Sequence, residues 1–130
     1  MSLGLQEQMN GLLRELVADA GYSLALVCTD EGLLVASSTD DFDSEELAGL
    51  TGLFDDIVLR AQRDLHMERV DEVTMLDPGR GRLVVRPLRI DGPQRFFLVV
   101  RIPARATWRR NTNRLGRTLV GLLQPAVLEA

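Results

Sequence analysis

The chain has 130 residues, 45% of them apolar, and a formal charge of −4, which suits one domain with a single core and gives neither a basic excess nor a charged tail for nucleic acid or anionic membrane. Apart from His66 every basic side chain is arginine, so Schiff-base chemistry and any phosphate loop that depends on lysine drop out. The lone Cys28 cannot form an intramolecular disulfide, no stretch has the makeup of a secretory leader, and no apolar run approaches the ~20 residues of a bilayer span, so a cytoplasmic chain without membrane insertion is expected.

Residues 1–4 are read as an appended remnant or as disordered and carry no weight; the whole of 1–130 is taken as a single domain. From Leu5 to Ala20, the residues Leu5, Met9, Leu12, Leu13, Leu16 and Val17 recur at about 100° per residue, and Gly21 stops this first amphipathic helix. Ser23 to Thr29 and Leu33 to Ser38 are short apolar runs joined by Asp30-Glu31-Gly32, the pattern of a β-hairpin. A polar break over 39–44 follows, with Asp43 and Glu46 at capping-box spacing.

A long second helix is predicted from about Ser44 to Leu65, with Leu47, Leu50, Phe54, Ile57, Val58, Ala61 and Leu65 on its core side. After 66–70 the period changes to two. Val73 and Met75 alternate with Glu72 and Thr74, Asp77-Pro78-Gly79 makes a turn, Arg82 to Arg89 forms the next strand, Asp91-Gly92 a tight turn, and Gln94 to Ile102 the last strand before Pro103. Pro87 cannot donate to a ladder, so a bulge or an unpaired donor position is expected there. A third helix spans Ala104 to about Leu123 with Trp108, Thr112, Leu115, Leu119, Leu122 and Leu123 in one arc, and Pro125 beyond it as a stop. The order α-β-β-α-β-β-β-α with hairpin-length connections implies an α/β (α+β) fold, a five-stranded antiparallel sheet covered by helices in a three-layer α/β/α sandwich.

That order, together with Leu-Val-Cys-Thr-Asp-Glu-Gly-Leu-Leu-Val-Ala-Ser-Ser at 26–38, Phe-Phe-Leu-Val-Val at 96–100 and a final helix holding Asn113, Gly116 and Arg117, resembles the Roadblock (dynein light-chain) family, of Roadblock/profilin-like fold and bacterial GTPase-associated type. His66-Met67-Glu68 departs from the glycine-containing turn of many relatives. The resemblance implies a non-enzymatic homodimer in which the second helices pack side by side and the third strands pair into one continuous sheet. It also implies a scaffold that binds and regulates a small Ras-like GTPase and carries no cofactor, metal or catalytic centre of its own. A GAF- or PAS-like small-ligand sensor is the alternative; the 5% aromatic content and continuous apolar patterns favour a filled core over a ligand cavity.

Independently of the family, Ala48, Gly52, Asp55 and Leu59 stack along a second side of the second helix, where small residues allow close approach of another backbone; with Gln62 they form a candidate dimer face. The alternative is a plain solvated surface. Glu72, Val73, Thr74 and Met75 suit an edge strand that pairs with its own copy, or one protected by acidic residues. Arg105, Arg109, Arg110, Arg114 and Arg117 on the last helix read as a solvated face, with no aromatic platform for nucleic acid. His66 and the carboxylates of Glu45, Glu46, Asp55 and Asp56 give no metal site or acid–base pair, and Cys28 reads as a small core residue.

Overall fold

The computed structural model describes residues 3–40 and 42–129, and the eight expected elements form in the expected order. They are α1 (Leu3–Ala20), β1 (Leu24–Thr29), β2 (Leu34–Ser37), α2 (Phe42–Asp64), β3 (Val73–Asp77), β4 (Gly81–Leu88), β5 (Phe96–Ile102) and α3 (Arg109–Glu129). The strands make one five-stranded sheet in the order β2-β1-β5-β4-β3, antiparallel throughout.

Alternation along the three inner strands divides the core. Ala25, Val27, Leu98, Val100 and Val84 face α1 and α3 and meet Met9, Leu13, Leu115, Leu119 and Leu123. Leu24, Leu26, Cys28, Phe97, Val99 and Val85 face the other way and meet Ala48 and Phe54 of α2. Helices therefore lie on both faces, two against one, in the three-layer arrangement that the element order implies.

Several boundaries differ from the sequence pattern for identifiable reasons. α1 begins at Leu3, so residues 3 and 4 are helical, while residues 1 and 2 lie outside the described residues. α2 opens at Phe42, which puts Asp43 inside the first turn and not at its cap; Asp41 lies outside the described residues. Residues 89–95 make a longer connection than the tight turn expected at Asp91-Gly92, held by Gln124, whose side chain accepts from Asp91 N at 2.7 Å and donates to Asp91 O at 3.0 Å. That docking also explains why α3 runs through Pro125 to Glu129 instead of stopping. Tertiary contact outweighs the missing backbone donor of the proline. At its other end α3 starts late, at Arg109, because the Ala104–Trp108 stretch turns on itself and Thr107 O accepts from the Tyr22 hydroxyl at 2.6 Å.

Pro87 sits opposite Phe97 in unbroken register, without a bulge. The β3–β4 ladder has already ended at Val73↔Val85, so no β3 residue lies opposite it. A register shift falls elsewhere, between Val27 and Cys28 in the β1–β2 pair. Gly81 has φ 106°, and a Cβ there would collide with the carbonyl of Ile102, so this corner of the β3–β4 hairpin requires glycine. His66 closes α2 in the left-handed region, at φ 57°, where glycine is the unstrained residue.

Candidate interaction surface

The face that α2 turns to the sheet sets small and polar residues beside Phe54 and Val58. Ala48 and Thr51 are fully buried, and Ser44 shares a 2.8 Å hydrogen bond with Ser37 of β2. A Cβ added at Gly52 would stand 3.3 Å from the carbonyl oxygen of Asp30 and 3.4 Å from the nitrogen of Gly32, in the β1–β2 turn. Asp55 is buried too, and accepts both forks of the Arg95 guanidinium, with Nε–Oδ1 at 2.7 Å; Asp30 lies 3.7 Å from the same guanidinium. The hydrogen bond to Asp55 raises the Arg95 pKa against the opposing effect of burial. One clasp thus ties the hairpin tip, α2 and the start of β5 together. Beneath it burial pushes the Cys28 thiol up to about 12, in spite of a hydrogen bond with Thr51 that acts the other way.

Within the single chain, Ala48, Gly52 and Asp55, expected at a face for a second copy, lie against the chain's own sheet and hairpin. Small residues do mark a close backbone approach, but the backbone that approaches is the chain's own hairpin. Leu59 and Gln62 remain exposed, and Gln62 donates to Glu68 O at 3.3 Å. Glu72 precedes β3 and, within the chain, accepts from Trp108 Nε1 at 3.3 Å and pairs with Arg109 at 3.2 Å.

Large apolar side chains point outward instead. Leu50, Leu53 and Ile57, at helical steps of three and four along α2, are 44%, 65% and 51% exposed, although Leu50 and Ile57 were expected in the core; Leu65 is exposed as well. Beside them Leu47 and Leu50 face Met75 and Leu83 across a groove of about 550 Å³ whose rim carries Asp43, Glu46, Arg80 and Arg101. The groove lies over the β3–β4 half of the sheet. Val73 there is half-buried, while Thr74 and Met75 are exposed.

The two edges of the sheet are finished differently. Asn10 Oδ1 accepts from Ser37 N at 2.8 Å and Gln6 Nε2 donates to Val35 O at 2.9 Å, so α1 occupies the outer backbone groups of β2. Among the described residues no side chain or strand does this for the outer edge of β3. Neither the capping of β2 nor the Asp55–Arg95 clasp was found in the sequence; their partners lie 27 to 40 residues apart, and no local pattern links them.

Arg105, Arg110, Arg114 and Arg117 are exposed on the far layer, while Arg109 stacks over the Trp108 ring at 4.6 Å. His66 is exposed. Among the described residues no group of three or more His, Cys, Asp or Glu side chains could hold a metal ion, and no helix is long and apolar enough to cross a membrane.

No protein-family model matches the sequence, and no curated protein is significantly similar to it. Solved structures are similar in fold. A structure described as MglB with tetrameric arrangement superposes with a TM-score of 0.80 at 17% identity, covering 97% of this chain and 95% of that one. Myxococcus xanthus MglB gives 0.76 at 17% identity over 91% of this chain and 96% of its own. The Roadblock/LC7 domain from Streptomyces avermitilis gives 0.62 at 17% identity over 92% and 97%. This chain has the Roadblock/LC7 fold of the MglB structures, over more than nine-tenths of its length.

Proposed function

We propose that the chain is a non-enzymatic scaffold that forms a homodimer and, as a dimer, binds and regulates a small Ras-like GTPase in the cytoplasm. One observation carries this reading: the exposed Leu50-Leu53-Ile57 line on α2 runs beside an apolar groove and an unblocked β3 edge, all on one side of the molecule. A contiguous apolar surface of this kind calls for a partner. A second copy related by a two-fold axis answers both needs at once. Its α2 covers the groove, and its β3 continues the sheet, with Thr74 and Met75 meeting their own copies. Leu59 and Gln62 lie at the margin of this contact.

The GTPase assignment is supported by the Roadblock resemblance and by the MglB structures that share the fold. A sensor of the GAF or PAS kind would hold its ligand between sheet and helix; here Leu26, Phe97 and Val99 fill that space and are at most 1% exposed. Immobilised Ras-like GTPases of the same organism, loaded with GDP or with a non-hydrolysable GTP analogue, provide the test by biolayer interferometry. The expected result is saturable binding of two copies of the chain per GTPase, with a preference for one nucleotide state. Absence of binding to any such GTPase in either state would overturn the regulatory half of the proposal.

A further inference from the structure

On the opposite side of the sheet from α2, a cleft of about 480 Å³ opens between α3, the end of β4 and the segment that leads into β3. We propose that it is a binding site for a small soluble organic anion, a phosphate or carboxylate group carried on an apolar body. Its floor is Leu88, Leu98 and Val120, and Gly116 keeps the α3 wall low: a Cβ there would reach Leu88 Cδ2 at 3.7 Å, an ordinary contact. The rim is cationic in a chain whose formal charge is −4. Arg69, Arg86, Arg89 and Arg117 line it with a single carboxylate, Asp71.

That carboxylate is already committed. Asp71 accepts from Arg69 at 2.7 Å and from Arg89 at 2.8 Å, which leaves the other guanidiniums without a countercharge. Arg86 is half-buried, and its bonds all go to neutral oxygens: Thr112 Oγ1 at 2.8 Å, Asn113 Oδ1, and the carbonyls of Asp71 and Arg109. Among the described residues neither Arg86 nor Arg117 makes an ion pair. A guanidinium drawn partly out of water and matched only by dipoles attracts an anion, and its planar fork suits phosphate and carboxylate oxygens.

The floor selects what the anion is attached to. An apolar base under a few converging polar groups, within a volume of several hundred Å³, is the usual form of a small-molecule site and gives a bare inorganic ion nothing to gain from the leucines. No aromatic ring lines the cleft to stack a base, which argues against a nucleic-acid strand. The cleft lies on the opposite face of the sheet from α2.

The test is a titration of the 15N-labelled full chain with phenyl phosphate, with inorganic phosphate in a parallel arm and phosphatidylglycerol vesicles in a third. Saturable shifts are expected at the Asn113 and Gly116 amides and the Arg86 and Arg117 Nε–H groups, with inorganic phosphate about tenfold weaker or more. Arg117→Glu, at an exposed position, should weaken phenyl phosphate by about tenfold through loss of one charge-assisted contact. Gly116→Leu should abolish binding by filling the floor, with circular dichroism and sedimentation unchanged. Shifts confined to α2, equal affinity for inorganic phosphate, binding that survives both variants, or co-pelleting with vesicles in the absence of any soluble binding would each overturn the proposal.

Discussion

The layer of α1 and α3 and the layer of α2 cover the same sheet in opposite ways. On the first, two helices bury Met9, Leu13, Leu119 and Leu123 completely, and among their described side chains Leu128 alone is large, apolar and exposed. On the second, one helix buries Ala48, Phe54 and Val58, is tied down through Ser44 and Asp55, and keeps Leu50, Leu53, Ile57 and Leu59 outside. The edges repeat the contrast, β2 being capped by Asn10 and Gln6 while β3 is open. A layer that hides its apolar residues needs nothing else, whereas one that displays them beside a free edge is built to be completed by another surface.

The strongest way to break this contrast is to charge the displayed face. Leu53→Arg with Ile57→Arg should weaken self-association by about a hundredfold or more, since each guanidinium would be buried without a partner, while Leu128→Arg on the other layer should leave it unchanged. Sedimentation equilibrium measures both, and circular dichroism should show that each variant is folded. Next in size is Gly52→Leu. It drives a side chain into the β1–β2 turn and should cost about 2 kcal/mol of unfolding free energy in urea, a loss that belongs to the single chain and persists at dilutions where no dimer exists. If instead Gly52→Leu only shifted the oligomeric state, the small face would be the outward one.

Arg95→Ala should cost about 1–2 kcal/mol by leaving the buried Asp55 carboxylate unpaired, less than for a fully buried pair because the Arg95 side chain is 46% exposed. The smallest effect concerns Cys28. Its thiol has a folded pKa of about 12 against an ordinary 9.0, so the folded state holds its proton after the unfolded state has lost it. Stability from this group is intact below pH 9 and falls as pH rises toward 12, by about 1 kcal/mol at pH 10. Cys28→Ala should flatten that alkaline fall, and the native thiol should resist alkylation at pH 8 until the chain is unfolded.

All eight elements were legible because each has a strong period and a turn residue beside it: Gly21 after α1, Asp30-Glu31-Gly32 inside the first hairpin, Pro78-Gly79 inside the second. The orientation of α2 was not. Leu47, Leu50, Leu53, Phe54, Ile57, Val58 and Leu59 spread apolar side chains around most of the helix, so periodicity marks a helix without saying which side meets the sheet. The polar residues Ser44 and Asp55 held the answer, because each has its hydrogen-bonding partner on another element of the chain, but those partners are brought together only by the fold. Pro125 misled for a related reason. Its local effect is to stop a helix, and the docking of Gln124 on Asp91 overrides it.

Hydrogen exchange along β3, followed as a function of protein concentration and set against β2, tests the central claim most directly. The amides of Val73–Asp77 that point away from β4 should pass from fast exchange at nanomolar to strong protection at micromolar concentration, while β2, already capped by α1, should not change. Fast exchange of those β3 amides at every concentration, in a particle that sediments as a single chain, would contradict it.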